Sequence, residues 1–249
     1  MLECLASRFS IPKCSKSFNR YLSKEDNHVE LMSVTSHWFI VGGVVRSVIM
    51  ENAALMDDVL DKLLVEVRAC THCAKDLPLG PRPVVQISSR AKILIIGQAP
   101  GTRVHETGIP WNDPSGDRLR EWLGIDKELF YDPEKIAIMP MGFCYPGRLD
   151  KGGDAPPRPE CAPLWHDKLL GVLPNLNITL LVGQYAQKYY LGKGKKKTLT
   201  ETVKAWKEYQ PDYFVTPHPS WRSAMWLKKN TWFEDDVLPV LRNRVQELV

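Results

Sequence analysis

Long apolar runs are the first thing missing. A helix needs about 18 consecutive apolar residues to cross a bilayer, and the longest run here, residues 38–45, is broken by two glycines. No membrane-spanning helix is expected, and a soluble protein is. Residues 1–30 lack a continuous apolar core followed by a small-residue cleavage site, so no secretory signal is expected and the cytoplasm is the expected compartment. Cysteine is sparse, at six in 249 residues, too few for a disulfide-stapled scaffold. Neither G-x-G-x-x-G nor G-K-[ST] occurs, which removes the dinucleotide fingerprint and the Walker loop. Internal repeats are absent, and low complexity is confined to residues 193–197. A strong excess of one charge is absent too: the net charge is +4, compatible with a nucleic-acid partner without requiring one.

What remains is a globular composition, 44% apolar and 25% charged, in a chain long enough to bury a proper core. Residues 1–49 show no sustained periodicity and read as a poorly defined N-terminal extension; residues 50–249 read as one domain. Met56, Val59, Leu60, Leu63, Leu64 and Val67 recur at three and four, as an amphipathic helix requires. Four short apolar runs predict buried strands at residues 93–96, 136–139, 178–182 and 213–216. Helical patterns fall at 117–123, 161–173, 185–191, 199–209 and 233–248. Strands alternating with helices predict a three-layer α/β/α sandwich around a short, mainly parallel four-stranded sheet.

Each predicted strand runs into a loop of unusual chemistry. These are Gly97-Gln98-Ala99-Pro100-Gly101, Pro140-Met141-Gly142-Phe143-Cys144, Gly183-Gln184 and Pro217-His218-Pro219-Ser220. In open parallel sheets, ligands bind beyond the carboxyl ends of the strands. The glycine loop suits close backbone approach to a ligand, although a plain strand-to-helix turn has the same residues. Prolines on both sides of His218 fix the backbone of an imidazole that must hold one orientation. Cys70 and Cys73 form a C-x-x-C pair, with Cys144 and Cys161 downstream. Four thiolates suit an iron–sulphur cluster or tetrahedral zinc, and spacing does not choose between them.

Taken together, Gly97–Gly101, Gly108-Ile109-Pro110-Trp111, the Cys144 loop and His218-Pro219-Ser220 resemble the uracil-DNA glycosylase superfamily. The likeness is closest to its iron–sulphur branch (family 4) and covers about residues 68–248 in the family's order. That branch carries G-E-A-P-G, G-x-P-F, N-x-x-K-C and H-P-S segments. The resemblance implies a DNA glycosylase of base-excision repair, acting as a monomer on uracil or another deaminated base in DNA. It implies a [4Fe–4S] cluster on Cys70, Cys73, Cys144 and Cys161, with zinc as the alternative. His218 would donate to the charge that develops on the departing base. Gly97 and Ala99 would line the base pocket and Trp111 would stack on the flipped base. Ser220, Trp221 and Arg222 would enter the duplex as a wedge. Lys228, Lys229 and the lysine run are candidates for phosphates, although for the run a solvated loop is the favoured reading.

Two positions depart from the pattern. Pro140 stands where the branch has an asparagine that reads the uracil edge, and proline has no side-chain donor or acceptor to do so. Gln98 stands in the place of the branch's acid and is carried over as the second catalytic candidate. Asp113, Asp117, Glu106 and His105 lie nearby and are alternatives for orienting water. The preferred base is therefore open. So are two other readings: a nucleic-acid-binding relative with a structural Fe–S or zinc site and little or no glycosylase activity, and hydrolysis of another N-glycosidic bond.

Overall fold

Four fully parallel strands form the centre of the protein: β1 (Ile93–Ile96), β2 (Ile136–Ile138), β3 (Ile178–Val182) and β4 (Tyr213–Thr216). Their spatial order is β2-β1-β3-β4. The computed structural model describes residues 44–150 and 152–249. The extension expected over residues 1–49, with Cys4 and Cys14, therefore lies outside the described residues except for its last six positions. Every residue of β1 and β2 is buried, which is why these strands read as unbroken apolar runs rather than alternating ones. Each buried Ile or Leu side chain contributes roughly 1.5–3 kcal/mol relative to exposure.

The helices are α1 (Val44–Arg68), α2 (Thr102–Thr107), α3 (Pro114–Leu123), α4 (Lys127–Phe130), α5 (Cys161–Leu170), α6 (Gln184–Leu191), α7 (Leu199–Lys204), α8 (Ala224–Lys229) and α9 (Leu238–Gln246). Helix α1 buries Leu60, Leu64 and Val67 of the face that the spacing predicts, leaves Met56 and Leu63 partly buried and Val59 exposed, and begins well before Met56. The connection from β1 to β2 runs in one direction across the sheet, whereas those from β2 to β3 and β3 to β4 run in the other. Right-handed crossovers therefore put α3 on one face and α5, α6 and α7 on the opposite one. The packing agrees: α3 lies against α9, and α1 against α5. The result is the expected α/β/α sandwich.

Reversal of strand order beside β1 creates a switch point, the place where open parallel sheets leave a crevice beyond the strand ends. Local signals shape the elements around it. Asp113 caps α3, its carboxylate accepting from the Gly116 N–H at 2.8 Å, and Pro114 occupies the first turn. Gly124 ends the helix in the left-handed conformation.

Candidate active site and cysteine cavity

A cavity of about 660 Å³ opens at the carboxyl ends of β1, β2 and β4. It is lined by Gly97, Gln98 and Ala99 from the first loop, Trp111, Pro140, and His218, Ser220, Trp221 and Arg222 from the last. Every residue expected at the base site or the DNA wedge thus meets at one cavity, although these positions span more than 120 residues of chain. The Gly183-Gln184 loop and the lysines at 193–197 do not line it, and Lys196 is paired with Glu208 at 2.5 Å.

Trp111 is the most constrained of these residues. Its φ is 55°, the one positive value outside glycine among the described residues, and a tryptophan holds such a conformation only where its surroundings impose it. Two glycines make room for it. A Cβ on Gly97 would lie 2.7 Å from the indole ring, and a Cβ on Gly116 would lie 1.7 Å from the Trp111 carbonyl oxygen. Arg120, buried within α3, donates to that same carbonyl at 3.4 Å. It also pairs with Asp117 at 2.5 Å and lies over the rings of Phe130 and Tyr131. Tyr131 in turn donates to the Pro110 carbonyl at 2.9 Å. The indole therefore sits on the first loop with its ring centroid 5.5 Å from the His218 imidazole.

His218 is partly buried in the cavity wall, and its backbone carbonyl accepts a short hydrogen bond from the Ser223 hydroxyl. Burial pushes its pKa down to about 4, against a smaller opposite effect of Asp113. At neutral pH the ring is uncharged, able to present one N–H and one bare nitrogen. Trp221 is 76% exposed at the mouth of the cavity, with the Arg222 guanidinium 5.3 Å above its ring. The Ser220 carbonyl beside it accepts from Arg118 at 2.8 Å. A tryptophan held out in this way suits a wedge between bases.

Gln98 donates from Nε2 to the Ala155 carbonyl at 3.3 Å, so its amide ties the first loop to the segment before α5. Of the four residues suggested for orienting water, Asp113 lines the cavity; Asp117, Glu106 and His105 do not. Two charged cavity residues escape the sequence reading. Asp154 and Arg148 come from the glycine-rich loop after Cys144, which has no periodic pattern to mark it.

Pro140 forms a buried apolar wall, and its carbonyl is held by His166 Nε2 at 3.1 Å. His166 is fully buried on α5, has its pKa pushed down to about 4 by burial, and stacks on Phe143 at 5.6 Å. A carbonyl only accepts, so Nε2 carries the proton and Nδ1 accepts from the Tyr190 hydroxyl at 2.6 Å. A histidine on the apolar face shared with Ala162, Trp165 and Leu169 was the available signal.

Cys70, Cys73, Cys144 and Cys161 line a second, small cavity, joined there by Phe143, Arg158 and Trp165. All four thiols are free and partly buried. Burial raises the pKa of Cys144 to about 11 and of Cys161 to about 12. Uncompensated, these are neutral thiols, and a cation at the site would have to displace their protons. The Phe143 N–H donates to Cys161 Sγ at 3.3 Å, and the buried Trp165 Nε1 has no hydrogen-bond partner. Four thiols, an N–H that already donates to one of them and an unpaired indole N–H are donors of the kind that suit a group rich in anionic sulphur. Among the described residues, no three Cys, His, Asp or Glu side chains are grouped to grip a single metal ion.

The fold is thus a parallel α/β sandwich with a switch-point cavity lined by an indole, an uncharged imidazole and an exposed tryptophan. Residues 84–242 match the family described as the uracil DNA glycosylase superfamily, and the chain belongs to that superfamily. Membership makes it a glycosylase-like enzyme of the DNA-repair type, with DNA as its partner. Among the described residues, no helix is long and apolar enough to cross a membrane.

Proposed function

We propose that the protein removes a deaminated base, uracil or a related one, from DNA by hydrolysing its N-glycosidic bond. The observation that carries this reading is the convergence of Gly97, Ala99, Trp111, Pro140 and uncharged His218 on one cavity. Trp111 stacks on the extruded base, and the His218 N–H meets the oxygen on which negative charge grows as the bond breaks. A neutral donor suits this task because it stabilises the charge without having to give up a proton. Pro140 contributes shape rather than hydrogen bonds, so the pocket discriminates weakly between bases. Trp221 fills the gap left in the duplex, and Arg148 and Arg222 at the cavity meet phosphates.

Cys70, Cys73, Cys144 and Cys161 would hold a [4Fe–4S] cluster, as in the iron–sulphur branch that the motifs resemble. When bound, the group ties the Pro140–Cys144 loop to the end of α1 and contributes folding energy. The test is incubation with oligonucleotides carrying uracil, hypoxanthine or xanthine, scored for abasic sites, alongside His218→Ala. We expect excision of more than one base, reduced roughly 10²–10³-fold in the variant with binding retained. DNA binding without excision of any base would favour the second reading, a nucleic-acid-binding relative, which the missing asparagine at position 140 keeps open.

A further inference from the structure

Hydrolysis needs a second group besides His218: something to hold the attacking water. The acid that the iron–sulphur branch carries in the first loop is Gln98 here, and its amide is bonded to the Ala155 carbonyl. Two of the described residues lining the cavity carry a carboxyl group, Asp113 and Asp154. Asp113 is committed to the α3 cap through Gly116. Asp154 has no such role.

Its position is built by the segment that Gln98 anchors. The Ala155 N–H donates to the Gly147 carbonyl at 2.8 Å, and the Leu149 N–H donates to the Gly153 carbonyl at 2.9 Å. Arg148 and Asp154 face each other as an antiparallel bridge. This fold-back lays Asp154 over the first loop: Oδ2 lies 3.5 Å from where a Cβ on Gly101 would sit. The Arg222 guanidinium packs against Gly153. A carboxylate thus stands over the same loop that carries the acid in the resembled branch, delivered from a different part of the chain.

We infer that Asp154 is a catalytic residue, the carboxylate that orients and deprotonates the attacking water. This rests on the glycosylase reading above. The C1′–N bond breaks with its electron pair leaving on the base, whose oxygen accepts from His218. The water oxygen bonds to C1′ and gives one proton to the Asp154 carboxylate, which passes it to solvent; the base anion takes a proton from solvent on release. Although Asp154 is exposed as a residue, partial burial raises its pKa, as does Asp113, while Arg148 and Arg222 oppose the rise. A base working near neutrality benefits from such a shift.

The test compares native protein, Asp154→Asn and Asp154→Glu under single turnover on whichever base the native protein excises. Duplex affinity and thermal melting are measured on the same samples. Asp154→Asn should slow excision by roughly 10²–10⁴-fold, with affinity and melting close to native, and should remove the fall in rate that the native protein shows as pH drops through the carboxyl pKa. Asp154→Glu should recover part of the rate. Asp154→Asn excising at the native rate would overturn the assignment and leave the glycosylase reading intact. So would a loss of affinity large enough to explain the slower rate. A native protein that excises none of the bases would overturn both.

Discussion

Gly116→Ala separates two physical expectations of opposite sign. In an ordinary helix the substitution stabilises by up to about 1 kcal/mol, because alanine gives up less backbone freedom on folding. Here the added Cβ would lie 1.7 Å from the Trp111 carbonyl oxygen, where ordinary contact begins at 3.4 Å, so the two backbones must separate by about 1.7 Å. The carbonyl does not swing away easily, since Trp111 already has a φ of 55° and its oxygen is bonded to buried Arg120. Overpacking of this kind costs roughly 1–3 kcal/mol, and the close approach puts this case at the upper end. With the helix gain set against it, the net loss is about 2 kcal/mol, a fall in Tm of roughly 4–8 °C for a domain of this size. The indole lies against His218, so its displacement should also reduce base excision by more than the stability loss explains. Circular-dichroism melts with single-turnover excision on the same samples give both quantities. A Gly116→Ala protein that melts at or above the native temperature would refute the reasoning.

Four further outcomes are expected. Trp221→Ala should weaken duplex binding more than single-strand binding, because a wedge matters only where bases are stacked; equal losses by fluorescence anisotropy would count against it. Cys161→Ser should remove the brown colour of anaerobically purified protein and lower Tm, whereas a colourless native protein with stoichiometric zinc would replace the iron assignment. Burial holds His166 and His218 at about 4 in the folded state, against an ordinary 6.5. The unfolded chain therefore binds more protons in that window, and stability should be complete above about pH 6.5 and lost as pH falls toward about 4. Denaturant titrations across that range should show the loss, and His166→Gln should flatten it. Pro140→Asn should raise uracil excision with DNA affinity unchanged, since the backbone carbonyl held by His166 is retained; no gain with a native-like spectrum would rule out missing base recognition.

The sheet was legible because its strands are buried on both sides. Residues 93–96, 178–182 and 213–216 match the strands observed, and β2 ends one residue earlier than its apolar run. Helix α3 starts three residues before its periodic stretch, because Asp113 and Pro114 set its beginning rather than apolar spacing. The pattern at 199–209 divides into α7 and a 3₁₀ turn, Trp206–Tyr209. Helices α2, α4 and α8 are too short to show a period. At the site, the loop motifs located Gly97, Trp111 and His218, since each follows a recognisable strand or lies in a motif. Asp154 had no such marker: its place depends on a fold-back fixed by Gln98 and Arg222, contacts that join residues distant in the chain. His166 was marked only by its place on the apolar face of α5 with Ala162, Trp165 and Leu169, a face that reads as core packing.

That histidine makes the two cavities a single mechanical unit. The five residues from Pro140 to Cys144 run from the wall of one cavity to the lining of the other. His166 contacts this span at two points, by a hydrogen bond to Pro140 and a stacked ring on Phe143. Because the Pro140 carbonyl can only accept, it fixes the tautomer, and the Tyr190 hydroxyl holds the other ring nitrogen. Changes at the cysteines should therefore surface as altered base choice as well as lost stability, and residues 140–144 are best exchanged between relatives as a block together with position 166.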